Sequence, residues 1–92
     1  MDVYAEIAHR IIRQQESIIG PVAIEQAEEV PNLKVDWPKH QVSINGDGAK
    51  TVDSLVEKYT NLFGRLSVEV CKEAAEPLIS KLPEGKLPKT LA

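Results

Sequence analysis

One stretch constrains this chain more than any other. Val52, Val56, Tyr59, Phe63, Leu66 and Val70 recur at alternating steps of four and three, and Leu55, Leu62 and Ala74 widen the stripe on the same side. That spacing keeps one helix face apolar turn after turn. It predicts a helix over about 48–76, roughly 42 Å long at the ~1.5 Å rise of an α-helix. Arg65 with Glu69 and Lys72 with Glu76 form opposite-charge pairs four residues apart, off the seam, and support the same helix. A rod of that length presents more apolar face than one shorter helix can cover, and a domain of this size buries only about 60–65% of its unfolded surface. A second copy is the natural cover. A homodimeric helical bundle is therefore expected, with Val52, Val56, Tyr59, Phe63, Leu66 and Val70 in its interface.

The N-terminal half reads as a helix followed by a hairpin. Val3, Tyr4, Ile7, Ala8, Ile11, Ile12, Ile18 and Ile19 share one helical stripe that only Gln15 interrupts, and Glu6 with Arg10 lies opposite. Gly20-Pro21 kinks or divides this helical region, which continues through about residue 29 until Pro31 closes it. The period then drops to two: Leu33, Val35 and Trp37 alternate with Lys34 and Asp36, and Val42 and Ile44 with Gln41 and Ser43. A short β-hairpin over about 33–44 follows, with Pro38-Lys39-His40 as its turn. The fold class is mainly α with a small β component (α+β). One domain spans 1–82, and the Pro- and Gly-containing residues 83–92 read as a flexible tail.

Charge and composition exclude several classes. The net charge is −3, and from Ser80 onward Lys81, Lys86 and Lys89 outnumber Glu84, so the excess acid lies in the body. An acidic body lacks the footprint for nucleic acid or an anionic membrane surface. The apolar runs are too short to span a bilayer, and Asp2, Glu6, His9, Arg10 and Arg13 break up any leader-like stretch at the N-terminus. A single cysteine, Cys71, forms no internal disulfide and suits a reducing cytoplasm.

The stretch SINGDGAKT, residues 43–51, invites two chemical readings and fails both. A phosphate loop needs lysine and a hydroxyl directly after its last glycine, but Ala49 separates Gly48 from Lys50 and Thr51. A calcium loop with Gly48 at its sixth position would end on Ser54 where a bidentate glutamate is required. Asn45-Gly46 as a turn and Asp47 or Thr51 as a helix cap account for every residue.

The remaining candidates are few. His9 and His40 stand in no metal-ligand spacing with Cys71, and Cys71 on the margin of its stripe is expected to be a buried small hydrophobe. No metal or cofactor is expected. Glu25, Glu28 and Glu29 read as solvated helix surface that can present a negative patch to a basic partner. Trp37 is expected beneath the hairpin, or as an interface anchor if exposed. Gly64 costs roughly 1 kcal/mol relative to alanine within a helix and either admits a neighbouring helix or ligand or marks a bend, close packing being the preferred reading. These residues favour a non-enzymatic dimerisation or protein-interaction module, adaptor or regulatory. The alternative is a small-ligand-binding protein with an apolar pocket beside Trp37, Tyr59 and Gly64. An enzyme ranks third because no nucleophile–base or metal constellation assembles by spacing.

Overall fold

Helix α1 (Val3–Ile19) forms where its stripe lies. Asp2 caps it by accepting the Tyr4 N–H at 2.8 Å, and Ala5, Ile7, Ala8, Ile11, Ile12 and Gln15 are its buried residues. This computed structural model describes residues 2–83 and 85–92. Gly20, at φ 76° and ψ −156°, ends α1 in a region of backbone space essentially reserved for glycine. Pro21 then opens α2 (Val22–Glu28), accepting the Ile24 and Glu25 N–H groups, so Gly20-Pro21 divides the helical region rather than kinking it.

The hairpin pairs β1 (Leu33–Asp36) with β2 (Gln41–Ile44) antiparallel, Leu33 opposite Ile44 and Val35 opposite Val42. Leu33 and Val42 turn inward while Lys34, Asp36, Gln41 and Ser43 stay exposed, as a period of two requires. Trp37–Lys39 form a single 3-10 turn that His40 leaves at φ 52°.

The single long helix expected over 48–76 is instead two, α3 (Gly48–Phe63) and α4 (Arg65–Ile79). Gly64 sits between them at φ 78° and ψ −168°, again a region closed to residues with a Cβ, and its N–H still donates to Thr60 O at 2.8 Å. The chain folds back there, so α4 packs on both α3 and α1. Two hydrogen bonds fix α4 antiparallel to α1: Arg10 Nε to Ala74 O at 2.8 Å and Gln15 Nε2 to Ser67 O at 3.3 Å. The molecule's longest extent is 33 Å, too short for the rod. Pro77 is accommodated inside α4.

Folding back changes what the stripe covers. Val52, Val56 and Tyr59 are fully buried in the chain's own core with Ile7, Ile11, Ile12 and Leu55. They are therefore unavailable to a second copy, contrary to the expected interface. The buried face of α4 is Ser67, Cys71, Ala74, Ala75 and Leu78, one position out of phase with Leu66 and Val70. The Tyr59 hydroxyl donates to Ala23 O at 2.7 Å, which satisfies it in the core and ties α3 to α2.

The segment 83–92, expected to be a flexible tail, is docked over its last part. Lys89–Leu91 form a 3-10 turn, and Pro88 and Leu91 are buried against α3 and α4. The Tyr4 hydroxyl donates to Lys86 O at 2.7 Å. The domain is mainly helical, with one two-stranded antiparallel hairpin.

Candidate functional site

The break at Gly64 leaves apolar side chains at one end of the bundle. Leu62 is 53% exposed, Phe63 41% and Leu66 75%, all within two residues of the turn. Ile18, 56% exposed, lies near the end of α1 that the Gln15–Ser67 hydrogen bond sets beside the start of α4. Four large apolar groups left in water cost hydrophobic free energy.

A second cluster forms where the hairpin turn lies on α1. The Trp37 ring lies 5.2 Å from both the His9 and His40 rings, and the two imidazoles are 6.1 Å apart, centroid to centroid. The indole N–H donates to Glu16 Oε2 at 3.1 Å. His9 Nε2 is buried with no hydrogen-bond partner. Burial, and then the neighbouring charges of His40, Arg13 and Arg10, hold the His9 pKa below its usual value, because each disfavours the imidazolium.

Beside this cluster a groove of about 640 Å³ runs along α1, lined by Glu6, His9, Arg10, Arg13, Gln14, Ser17 and, from α4, Ala74. Arg10 does not pair with Glu6, its sequence neighbour one turn away. Its Nε–H is spent on Ala74 O, which fixes the guanidinium plane over the groove's α4 wall. The single ion pair among the described residues is Lys58 with Glu29 at 3.3 Å, so neither Arg10 nor Arg13 meets a carboxylate there.

No family model, no curated protein and no solved structure matches this chain.

The remaining sequence candidates are placed as follows. Trp37 is 8% exposed and engaged on both sides and at its nitrogen, so it is not an exposed anchor. The turn at Trp37–Lys39 folds it onto α1. Gly64 is an exposed bend with no atom near where its Cβ would be, so the close packing expected there is absent. Trp37, Tyr59 and Gly64 do not surround a common space, since Tyr59 is fully buried and Gly64 lies at the surface. Val70 is half-buried on α4. Glu25, Glu28 and Glu29 are exposed on and just beyond α2, with Glu29 paired to Lys58. Cys71 is buried, its thiol pushed up to about 11 by burial against a smaller opposing effect of the Gln15 hydrogen bond. Among the described residues no group of three or more His, Cys, Asp or Glu side chains is placed to hold a metal, and no helix is long and apolar enough to cross a membrane.

Two features escaped the sequence reading. Leu62 and Ile18 fall on apolar stripes whose spacing predicts burial, and only the glycine inside the heptad pattern hints at their exposure. The approach of His9, Trp37 and His40 depends on the hairpin docking on α1, for which the sequence carries no local signal.

Proposed function

We propose that this chain is a non-enzymatic protein-interaction module that pairs with a second copy of itself through the apolar corner of Ile18, Leu62, Phe63 and Leu66. The observation carrying this reading is the exposure of those four side chains, the other large apolar groups among the described residues being buried or half-buried. None of the four is charged. A patch without charge placed on a two-fold axis is complementary to itself and needs no matching pattern on a different partner. Phe63 is the kind of aromatic that anchors such contacts. The one free thiol is buried and protonated, which argues against a cysteine nucleophile and suits a reducing cytoplasm.

Sedimentation equilibrium tests the reading. The chain is expected to be dimeric at micromolar concentration, and Leu66→Glu with Phe63→Glu to be monomeric with an unchanged helical circular dichroism spectrum. A wild-type chain that stays monomeric, or a dimer indifferent to both substitutions, sinks it.

A further inference from the structure

We propose that the groove along α1 is a binding site for a carboxylate-bearing ligand, held by the guanidinium groups of Arg10 and Arg13. The inference does not depend on the dimer and concerns a different face of α1.

Three observations carry it. First, two arginines three residues apart share one face of α1 and line the same groove, so their side chains are neighbours one turn apart. A guanidinium fork matches a carboxylate bidentately, and two forks on one wall suit a ligand with two carboxylates. Second, Arg10 is already oriented. Its Nε–H is bonded to Ala74 O at 2.8 Å, leaving its Nη groups as the free donors, and holding a long side chain in place beforehand lowers the entropy lost on binding. Third, the local charge contradicts the whole. The chain carries −3, yet its acids leave both arginines without a carboxylate partner among the described residues. Even Glu6, which lines the same groove, does not close on Arg10. Gln14 and Ser17 supply further polar wall, although the Ser17 hydroxyl is spent on Gln14 O at 2.7 Å.

His9 makes the site sensitive to protons without touching the ligand. Its ring lines the groove, but Nε2 is buried and unpartnered, so a proton there would have no acceptor. The charged or titratable groups facing it are Glu6, Arg10 and Arg13, which line the groove with it on α1, and His40 on the hairpin turn. Glu16, on the same cluster, is taken up by the Trp37 indole. An anion between the arginines offsets their field and makes protonation of His9 easier. By linkage, binding must then take up a proton and strengthen as pH falls through the histidine range.

The carboxylate can come from a free small diacid or from acidic side chains of another protein, and the test separates the two. The full chain, labelled with nitrogen-15, is titrated with succinate, with a terminally blocked tetra-aspartate peptide, and with sodium chloride at matched ionic strength, following the arginine Nε–H and the α1 backbone resonances. Saturable shifts are expected at Arg10, Arg13 and Ser17 with at least one carboxylate probe and not with chloride. Tighter binding of the diacid assigns a free metabolite, and tighter binding of the peptide an acidic partner segment. Arg13→Gln, on an exposed side chain, is expected to weaken binding by about tenfold or more, the worth of one charge-assisted pair. Arg10→Gln is expected to do the same, and Arg13→Lys to recover only part. Lowering the pH from ~6.5 to ~5, below the ordinary histidine value as the lowered His9 pKa requires, should tighten binding of the peptide to wild type but not to His9→Asn. Chloride matching the carboxylates, no saturation with either probe, or binding unchanged in Arg13→Gln would overturn the proposal.

Discussion

Asp53, in the second turn of α3, holds Thr90 twice: Oδ1 accepts the Thr90 N–H at 2.9 Å and its hydroxyl at 2.6 Å. Its other oxygen accepts the Lys89 N–H at 3.2 Å. One carboxylate therefore satisfies three donors of the C-terminal turn and brings Leu91 and Pro88 into the core. Asp53→Ala should cost about 1.5–3 kcal/mol, the range for hydrogen bonds to a charged acceptor. Urea unfolding measures the loss. Limited proteolysis should then cut C-terminal to Ser80 faster than in wild type, and an unchanged digestion rate would show that the turn is held by packing alone.

Gly48 opens α3 directly against Tyr4, and a methyl group there would overlap the Tyr4 ring. The backbone angle imposes no strain, so the cost of Gly48→Ala is steric, about 1–3 kcal/mol for overpacking. Combining it with Tyr4→Ala should cost less than the sum of the two single changes, since the two closest ring contacts go with the ring and only Tyr4 Cβ, at 2.7 Å, remains. Additive losses in a urea double-mutant cycle would rule out that contact as the cause.

Gly64→Ala tests the fold-back. Position 64 requires φ 78° with ψ −168°, which a residue with a Cβ adopts only at a cost of about 1–3 kcal/mol. No neighbouring atom obstructs the methyl group, so the loss is purely conformational. The monomer should be destabilised by that amount in urea. Because alanine favours continuing the helix through 64, a domain-swapped dimer that persists on size exclusion when Phe63→Glu and Leu66→Glu are also present is the expected companion. Wild-type stability would mean that the reversal does not depend on glycine.

Gly64 also shows where sequence reasoning reached its limit. The heptad spacing runs through it unbroken, and a stripe of that kind fits one long helix and two helices folded together equally well until a backbone angle is known. α1, α3 and the hairpin lie where periodicity puts them because each keeps one period unbroken between its own cap or turn residues, Asp2 and Gly20 for α1 and Asp47 and Gly64 for α3. Gln15 interrupted its stripe for a reason that only tertiary structure supplies: it is buried, and its amide donates to Ser67 O and to Cys71 Sγ. The C-terminal turn reads as tail in the sequence because its anchors, Pro88 and Leu91, are too few to show a period. The arginine groove was invisible for a related reason, since an i,i+4 partner for Arg10 existed in Glu6 and the structure uses Ala74 O instead.

Acid should weaken the packing of the hairpin on α1. His9 has a folded pKa below its ordinary 6.5, burial being the main cause and the charges of His40, Arg13 and Arg10 adding to it. Above pH 6.5 the imidazole is neutral in both states and this contribution to stability is fully present. As pH falls below 6.5 the unfolded chain takes up the proton first, so stability declines toward the folded pKa. The urea midpoint, followed by Trp37 fluorescence, should fall between pH ~7 and ~5, and His9→Asn should flatten that decline. A wild-type midpoint that is level across the window would refute the assignment.

Alkali should act through Cys71. Its thiol is raised from 9.0 to about 11 by burial, with Gln15 Nε2 at 3.5 Å from Sγ pulling slightly the other way. Below pH 9 both states hold the proton and the contribution is complete. Between about 9 and 11 the unfolded chain ionises while the folded one does not, so stability is lost progressively. The Tyr59 phenol, also raised by burial, extends the loss above pH 10 as the unfolded phenol ionises. Cys71→Ala should therefore lose less stability than wild type between pH 9 and 10, although it starts lower because of the space it leaves. The same burial requires the native thiol to react with a disulfide reagent only as fast as the α1–α4 interface opens. Labelling at the rate of a free thiol at pH ~8, where an accessible cysteine is already partly thiolate, would show that Gln15 and Cys71 are not sealed between the helices.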